Sequence, residues 1–554
     1  NWTDYGKHVA RAARSLMALG FKTGNNVAIL GFNRPEWVIF DVAAMAAGGA
    51  AAGIYTTCSP KEVAYIVSHS EAGIVLLEDS HQLEKVLAKL DTLKGLKHIV
   101  MMRNARPAQH PLVMSWDEFM AKGDDIPPAK LDERMASLKE DAVATLIYTS
   151  GTTGPPKAVM LTNHNLTWIA DTAAAIISAV PTDCCLSYLP LSHIAEQLFS
   201  IHAAISMGYE VYYAESIEKV ADNLKEVQPT IVFGVPRIWE KIHAKVSGQM
   251  AQATGVKKRI VNFAQRTGRQ MSDVKMCGDS PGRLLRVKYR LANKLVFAKL
   301  KPLIGLSRTR FCISGAAPIA REVLEFFASL DIIVQEVYGQ SEDCGPATFN
   351  HPGQTRLGTV GTPLEGTEVK IAPDGEILVK GPHVFAGYFK EEEATSAALI
   401  KGWLHTGDLG RFDQDGFLTI IGRKKEIIIT AGGKNIAPKN IEAAIKNCPI
   451  VANAVVIGDR RKYLSALVTL DAEALGISED QFASATSDQA NIDTIDDWIN
   501  AKVNPIFARV EQVRKFTVLD RPLSIDNGEL TPTLKIKRRV VDVNFKDQIE
   551  AMYS

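Results

Sequence analysis

The segment Tyr148-Thr149-Ser150-Gly151-Thr152-Thr153-Gly154-Pro155-Pro156-Lys157 places four hydroxyl residues and two glycines before a lysine, directly after the apolar run 143–147. Glycine lets backbone N–H groups approach phosphate oxygens, hydroxyls add donors, and lysine adds a positive charge. The spacing Gly-x-x-Gly-x-x-Lys differs from a Walker loop, which has GxxxxGK before Ser or Thr. A plain Ser/Thr-Gly turn is the alternative, but such a run directly after a strand is rarely only a turn. We therefore predict a phosphate-binding loop.

Strand-like runs surround this loop and alternate with helical patterns. A helix is predicted from about Pro35 through the Ala-rich segment that follows. Strands separated by helices indicate a parallel α/β architecture, in which ligands bind at the carboxyl ends of the strands. Short β-branched runs predict strands at 27–30, 74–77, 143–149, 210–214, 230–235 and 311–314.

The pattern changes in the last third of the chain. Between 363 and 420, Asp-Gly pairs at 374–375 and 415–416 predict hairpins in a smaller β subdomain. After Gly422 the alternation restarts, with strands predicted at 426–430, 454–457 and 465–470 and helices between them. We therefore predict two domains, 1–422 and 423–554.

Composition restricts the function classes. The 554 residues suggest two to four folded units at ~100–200 residues per domain. Lys and Arg number 63 and Asp and Glu 62, so the net charge of +1 argues against a dedicated nucleic-acid binder. The seven cysteines include no CxxC pair, which favours a reducing, cytoplasmic setting over a disulfide framework or zinc ribbon.

One segment departs from this charge balance. Residues 247–301 contain 13 Lys and Arg against 2 acidic residues, with apolar residues at helical spacing. A solvated helical face and a surface for anionic lipid or ligand phosphates are the two interpretations. The longest uncharged run, 42–60, is mostly Ala and Gly and predicts a buried helix leading into a strand rather than a membrane span. The chain begins inside a helical pattern, so we expect its N-terminus to be incomplete.

The segment TSGTTGPPK resembles the phosphate loop of the acyl-adenylate-forming enzymes, which include acyl-CoA synthetases, luciferases and the adenylation domains of peptide synthetases. That pattern normally continues with glycine, and Ala158 stands here. The resemblance implies a large N-terminal domain of α/β subdomains plus a small β subdomain. It also implies a smaller, mobile α+β C-terminal domain.

Five further motifs follow in the order of that family. The resemblance implies a backbone shelf for adenine at Gly315-Ala316-Ala317 within the motif 314–318. It implies an aromatic ring stacked on adenine and a Mg²⁺ ligand within Tyr338-Gly339-Gln340-Ser341-Glu342, with Glu342 as the ligand. Asp408 would hold both ribose hydroxyls, Arg423 would contact the ribose, Lys425 would be the hinge and Lys535 the catalytic lysine. Each motif alone is weak, but six in order make coincidence negligible.

The stretches 187–197, 234–243 and 428–438 are similar to long-chain acyl-CoA synthetases of the bubblegum type, and the similarity extends from Asp4 to Tyr553. Trp239 matches an aromatic gate over the acyl tunnel; a core tryptophan is the alternative. His193 matches a histidine at the junction of the acyl and nucleotide sites, with a role in satisfying its loop as the alternative.

The resemblance implies ATP-dependent activation of long-chain, extending to very-long-chain, fatty acids through an acyl-adenylate. Lys157 and the loop residues 149–154 would hold the β- and γ-phosphates, with Mg²⁺. Rotation about Lys425 would then bring Gly432-Gly433-Lys434 to the coenzyme A side. The alternatives are an enzyme loading a separate carrier protein, a luciferase-like oxygenase and a non-catalytic lipid-binding relative. The last would be expected to have lost Lys157, Glu342, Asp408 or Lys535.

Overall fold

The structure is a computed structural model that describes residues 1–105, 109–149, 155–531 and 535–554. Its strands in these ranges are β1 (Asn26–Leu30), β2 (Ala50–Ile54), β3 (Ile74–Leu77), β4 (His98–Met101), β5 (Val113–Ser115), β6 (Val143–Thr149), β7 (Lys157–Thr162), β8 (Cys184–Ser187), β9 (Glu210–Tyr213), β10 (Ile231–Gly234), β11 (Phe311–Ser314), β12 (Val334–Tyr338), β13 (Thr348–Phe349), β14 (Thr362–Pro363), β15 (Glu368–Ile371), β16 (Glu376–Lys380), β17 (Gly387–Tyr388), β18 (Leu399–Ile400), β19 (Trp403–Phe412), β20 (Leu418–Arg423), β21 (Ile428–Ile429), β22 (Asn435–Ile436), β23 (Val451–Ile457), β24 (Leu464–Leu470) and β25 (Val513–Val518).

The α-helices in the same ranges are α1 (Trp2–Ala18), α2 (Pro35–Ala46), α3 (Pro60–His69), α4 (Ser80–Leu87), α5 (Trp116–Lys122), α6 (Pro128–Ala136), α7 (Asn163–Ile176), α8 (Ile194–Gln197), α9 (Ala203–Met207), α10 (Val220–Val227), α11 (Pro236–Ala251), α12 (Gly255–Met276), α13 (Arg283–Ala292), α14 (Ala298–Leu303), α15 (Arg321–Ser329), α16 (Glu392–Ala398), α17 (Pro438–Lys446), α18 (Ala472–Leu475), α19 (Glu479–Thr486), α20 (Gln489–Trp498), α21 (Arg538–Asn544) and α22 (Lys546–Tyr553). Among the described helices, none combines the length and the apolar character needed to cross a bilayer.

An eight-stranded sheet dominates the first part of the chain, in the order β17-β7-β6-β2-β1-β3-β4-β5. The six strands from β6 to β5 pair in parallel. Within β1, Val27 and Ile29 contribute to one hydrophobic core with α2, whereas Ala28 and Leu30 contribute to another with α3. Both faces are therefore covered by helices, which is why the inner strands β2 and β3 are buried throughout, whereas the edge strand β5 is only partly buried. The parallel prediction is confirmed for these six strands.

The edge of this sheet differs from the prediction. β7 pairs antiparallel with β6, with Thr149 opposite Lys157, and β17 pairs antiparallel with β7. The candidate phosphate loop is thus the connection of a hairpin, and the sequence analysis assigned no strand after it. Five residues of the loop, Ser150, Gly151, Thr152, Thr153 and Gly154, lie outside the described residues.

A second sheet has the order β10-β11-β12-β13-β14, parallel for its first three strands and antiparallel thereafter. Helices α11, α12 and α15 share a hydrophobic core with it. The candidate nucleotide segments 314–318 and 338–342 follow β11 and the end of β12, so parallel pairing brings them to the same edge of this sheet.

The two Asp-Gly pairs form the predicted hairpins. β15 pairs antiparallel with β16, and β19 pairs antiparallel with β20. In the second turn the Asp413 carboxylate accepts hydrogen bonds from the backbone N–H groups of Asp415 and Phe417, at 3.0 and 2.9 Å. Such a local acceptor is the physical reason that Asp favours this position in turns.

The segment after Gly422 has its own hydrophobic cores, built on the sheet β23-β24-β25 and its helices. β23 and β24 form an antiparallel hairpin across 458–463, so the prediction of a helix between these two strands is wrong. β24 and β25 are parallel, and the intervening helices supply the crossover. The strand predicted at 426–430 is shorter, since only Ile428–Ile429 pairs, with β22.

Candidate active site

Asp408 and Arg423 form the centre of the candidate site because β19 and β20 place them directly opposite each other. Arg423 Nε lies 2.9 Å from Asp408 Oδ1, and the Tyr338 hydroxyl donates to Asp408 Oδ2 at 3.0 Å. Burial raises the pKa of Asp408, while the positive charge of Arg423 and the Tyr338 hydrogen bond act against that rise. Each carboxylate oxygen retains lone-pair capacity, so Asp408 can also accept from two neighbouring hydroxyls of a ligand.

The loop after β12 is tightly folded. A Cβ at Gly339 would lie 1.6 Å from the carbonyl oxygen of Gly345, so only glycine fits there. The N–H of Gln340 donates to Asp343 Oδ1 at 2.6 Å, which closes the turn that carries Ser341 and Glu342. The side-chain nitrogen of Gln340 is buried without a hydrogen-bond partner among the described residues, as expected of a donor that awaits a ligand.

The ring of Tyr338 is buried, with 8% of its surface exposed, and packs within the core of the large domain. Its hydroxyl is already bonded to Asp408. Stacking of this ring on adenine is therefore not tested by the structure and stays a prediction.

The predicted adenine shelf lies at the carboxyl end of β11. Ala316 has a φ of +67°, a left-handed conformation that is uncommon outside glycine. A Cβ at Gly315 would lie 2.6 Å from Val337 Cγ1, so the shelf runs close against β12. The Ser314 hydroxyl is buried without a partner in the described part of the chain, whereas Ala317 is exposed.

Lys157 and Glu342 approach the same tyrosine. Lys157 Nζ lies 5.1 Å from the centre of the Tyr388 ring, and the Tyr388 hydroxyl donates to Glu342 Oε1 at 2.7 Å. Burial, followed by the Glu342 charge, raises the pKa of Tyr388. Sequence reasoning missed Tyr388, since it reaches this point only through the pairing of β17 with β7. Ala158 of β7 lies opposite Tyr148 of β6. Its methyl group is buried in the hydrophobic core that also contains Tyr148.

Lys535 enters this region from the small domain. Loss of hydration in the cleft lowers the pKa of Lys535, and the charges of Arg423 and Lys439 lower it further. Asp408 and Glu342 act in the opposite direction. One lysine thus senses charged groups of both domains, so the structure has the small domain placed with Lys535 at the candidate site.

His193 faces the same cleft. Burial lowers the pKa of His193 to about 4, and the charge of Lys535 contributes to the lowering. Its Nδ1 accepts the backbone N–H of Ala195 at 3.2 Å and so caps α8. The neutral ring therefore carries its proton on Nε2 and can donate it to a substrate oxygen.

A buried carboxylate, missed by sequence reasoning, supports the His193 loop. Glu196 Oε1 accepts from the hydroxyls of Ser187 at 2.6 Å and Ser200 at 2.5 Å. Burial raises the pKa of Glu196 to about 7, and these hydrogen bonds oppose the rise. Both hydroxyls lie within nine residues of Glu196 along the chain, but the serines alone do not indicate that this carboxylate is buried.

Trp239, a residue of α11, is completely buried in the core that α11 shares with α15. Its indole N–H donates to the Gly234 carbonyl at 3.2 Å, and its ring meets Phe327 edge-on with centroids 5.3 Å apart. This is the environment of a core tryptophan. A gate role would require the ring to leave this position and stays a prediction.

The predicted hinge lies between two anchored neighbours. Lys424 Nζ lies 2.6 Å from Asp374 Oδ2 in the large domain, and Lys439 Nζ lies 3.2 Å from Glu426 Oε2 in the small domain. Lys425 between them is exposed. The turn Gly432-Gly433-Lys434 is the exposed tip of the β21–β22 hairpin, with the Gly433 N–H donating to the Thr430 carbonyl at 2.8 Å.

Two ion pairs join the small domain to α11. Arg237 Nη2 lies 2.6 Å from Asp471 Oδ2, and Lys241 Nζ lies 2.9 Å from Glu473 Oε2. Asp471 and Glu473 are at the start of α18. The helix that carries Trp239 is therefore held by the small domain in this arrangement, which sequence reasoning did not predict.

Comparison with known proteins agrees with this geometry. Residues 1–389 match the model of a family described as AMP-binding enzyme, and residues 425–554 match that of an AMP-binding enzyme C-terminal domain. The chain is 40% identical to the long-chain-fatty-acid–CoA ligase ACSBG2 of Xenopus laevis over 592 aligned residues. That alignment covers all of this chain and 79% of the frog protein.

The human long-chain-fatty-acid–CoA ligase ACSBG2 is 38% identical, with all of this chain and 88% of that protein covered. Among solved structures, the adenylation domain of a carboxylate reductase from Mycobacterium chelonae superposes with a TM-score of 0.76. This superposition covers all of this chain and 84% of the reductase domain's chain. At 22% identity it supports the fold alone.

Proposed function

We propose that this chain, which belongs to the AMP-binding enzyme family, is a long-chain-fatty-acid–CoA ligase. It uses ATP, Mg²⁺ and coenzyme A to convert a fatty carboxylate into acyl-CoA through an acyl-adenylate, releasing AMP and pyrophosphate. The relatives that match the whole chain carry this name. The observation that carries the mechanism is the cluster of Arg423, Asp408 and Tyr338. The charges of Asp408 and Glu342 in the large domain both act on the pKa of Lys535.

In the first half-reaction a carboxylate oxygen bonds to the α-phosphorus of ATP, and the bond from that phosphorus to the bridging oxygen of pyrophosphate breaks. Two anions must approach each other, so positive charge at the reacting groups lowers the barrier. We assign that charge to Lys535, with Lys157 on the β- and γ-phosphates. His193, neutral and with its proton on Nε2, donates a hydrogen bond to the fatty carboxylate.

The ribose is assigned to Asp408. Its two oxygens are fixed by Arg423 and Tyr338 but keep capacity for the two hydroxyls. Arg423 is held opposite Asp408 by the antiparallel pairing of β20 with β19 and can reach the same sugar. The shelf 315–317 and the residues 338–341 form the adenine side, and Thr149 with residues 150–154 forms the phosphate side.

Glu342 fits a magnesium ligand. No cluster of three or more His, Cys, Asp or Glu side chains that could hold a metal occurs within the described ranges. Mg²⁺ in nucleotide enzymes takes one or two carboxylates plus phosphate oxygens and water, so a single carboxylate suits it. When bound, the ion neutralises phosphate charge. Tyr388 orients the Glu342 carboxylate through its hydrogen bond.

In the second half-reaction the coenzyme A sulfur bonds to the acyl carbon, the bond from that carbon to the AMP oxygen breaks, and the thiol proton is released. Lys535 occupies the cleft that the thiol must enter. We therefore propose that the small domain rotates against the large one about Lys425, which presents Gly432-Gly433-Lys434. The anchored neighbours Lys424 and Glu426 support a pivot at this residue.

We also propose a cytoplasmic protein with peripheral membrane contact through the basic segment 247–301. Long-chain fatty acids partition into bilayers, so contact with a membrane shortens the path of the substrate. The helices α12 to α14 in this segment confirm its predicted helical character.

The test is pyrophosphate release and AMP formation from ATP and Mg²⁺, with carboxylates from acetate to a very-long-chain fatty acid, with and without coenzyme A. We expect long chains to drive AMP formation and acyl-CoA to appear only with coenzyme A. The chain-length optimum then measures the acyl tunnel. Absence of turnover with every carboxylate, in this chain and in its Ala158→Gly variant, would refute the assignment.

A further inference from the structure

Helix α13 and the turn after it carry an apolar stripe that faces solvent. Leu284, Val287, Leu291 and Leu295 are 69%, 62%, 50% and 37% exposed. The first three are spaced by three and four residues, which places them on one side of a helix, and Leu295 follows four residues later. Isolated exposed apolar residues are ordinary, but an aligned set of four is a surface.

This stripe is not the face that packs against the protein. On the other side, Ala292 of α13 and Phe297 of the following turn are completely buried in the core shared with α12 and α15. The Tyr289 hydroxyl donates to Asp331 Oδ2 at 2.5 Å, and Lys301 Nζ lies 3.0 Å from the same oxygen. The helix is therefore held firmly from behind, with its second apolar side outward.

Positive charge flanks the stripe. From Ser280 to Ala320 the chain contains no acidic residue. Six cations accompany the stripe and make no ion pair with another residue of the described chain: Arg283, Arg286, Lys288, Arg290, Lys294 and Lys299.

We propose that this apolar stripe and its cations form a docking surface for an anionic lipid bilayer. The aliphatic side chains enter the acyl region, and the long cationic side chains extend to the headgroup phosphates. Charge complementarity selects an anionic surface. The aliphatic stripe favours lipid over nucleic acid, because phosphate contacts along a nucleic-acid backbone do not bury leucine. The surface deepens the proposed membrane contact of segment 247–301, and it rests on the proposed ligase activity only for its purpose, the supply of a fatty acid dissolved in the membrane.

The test is flotation of the full chain with vesicles of phosphatidylcholine, with and without phosphatidylglycerol, at low and high salt. We expect binding only to the anionic vesicles, weakened by salt. The double variant Leu284→Gln/Leu291→Gln should bind at least roughly tenfold more weakly, because it removes apolar burial and leaves every charge in place. The matched control Ile506→Gln/Val510→Gln changes two exposed apolar residues of the small domain and should bind normally.

Insertion has a direct readout. Cys277 is the one exposed cysteine of the seven. A polarity-sensitive dye on Val287→Cys in a Cys277→Ser background should shift to the blue on anionic vesicles alone. Absence of a shift, or equal vesicle binding by the wild type and by the double variant Leu284→Gln/Leu291→Gln, would refute the proposed docking surface.

Two other occupants give distinct results. If the free wild-type chain sediments as a dimer and the double variant as a monomer, the stripe binds a second copy and the proposal is wrong. Equal binding of wild type and double variant to duplex DNA, without vesicle binding, would also overturn it. Because flotation needs no ATP, a chain that floats with anionic vesicles but activates no fatty acid supports this surface and refutes the ligase proposal alone.

Discussion

Loss of Arg237 should change the balance between the two half-reactions. The ion pair of Arg237 with Asp471 joins α11 of the large domain to α18 of the small one, in the arrangement that has Lys535 at the site. Rotation of the small domain must break it. Arg237→Ala should therefore disfavour the orientation needed for adenylate formation.

The magnitude follows from exposure. Arg237 and Asp471 are 38% and 16% exposed, so their pair contributes about 1 kcal/mol, at the upper end for such contacts. Lys241 and Glu473 are 54% and 82% exposed, and their pair contributes roughly 0.3 kcal/mol. Since a tenfold change in an equilibrium constant is about 1.4 kcal/mol, Arg237→Ala should shift the domain equilibrium about fivefold and Lys241→Ala less than about twofold.

The assay compares ATP–pyrophosphate exchange, which reports the first half-reaction, with thioester formation from prepared acyl-adenylate. We expect exchange to fall by up to about fivefold in Arg237→Ala while thioester formation does not fall. Asp471→Ala should have the same effect, and the double variant should equal either single variant. Lys245→Ala, on the same helix, is the control. Additive losses in the double variant, or equal loss of both half-reactions, would refute the reasoning.

Two further changes test the site, and a third tests a buried carboxyl outside it. Lys535→Ala should lower pyrophosphate exchange by roughly a thousandfold and spare thioester formation from prepared adenylate, since the lysine acts only in the first step; equal loss of both would contradict its role. Lys425→Pro restricts the backbone at the hinge and should slow thioester formation more than exchange, and an unchanged thioester rate would count against a pivot there. Asp41 is buried with both oxygens unpartnered in the described chain, and burial raises its pKa to about 8. When a carboxyl has a higher pKa in the folded than in the unfolded state, the free energy of unfolding of the protein falls as pH rises from about 4 to about 8, by up to about 1.4 kcal/mol per pH unit. The thermal stability of Asp41→Asn relative to wild type should therefore increase as the pH is raised from 5 to 8. A stability difference that stays constant over this range would show that Asp41 is not neutral at pH 5.

Pairs that are close along the chain were predictable. Asp413 closes its own turn with neighbours two and four residues away, and the Asp-Gly signal reported the hairpin that results. That hairpin in turn sets Asp408 against Arg423. Two motif residues assigned separately to the ribose are thus brought together by a turn that the sequence already marked.

Contacts between distant segments were not predictable. Tyr388 reaches Glu342 and Lys157 because β17 pairs with β7. Neither strand has a sequence feature that indicates which strand it pairs with. The helix expected between β23 and β24 was wrong for a different reason, since these two strands are neighbours along the chain. An apolar run of strand length has the same appearance whether a helix or a turn follows it.

Sequence alone indicated the class of chemistry. Residue types and spacing predicted a phosphate-binding loop, and the family resemblance of the motifs with Glu342, Asp408 and Lys535 implied a nucleotide site. It also determined which stretches become strands and helices wherever one period dominates. Tertiary structure decided the charge states of the site residues and which residues surround them. Burial lowers the pKa of His193 and raises that of Glu196, and the charges of Arg423, Lys439, Asp408 and Glu342 act on the pKa of Lys535. These effects depend on what surrounds a group in space rather than on its neighbours in the chain.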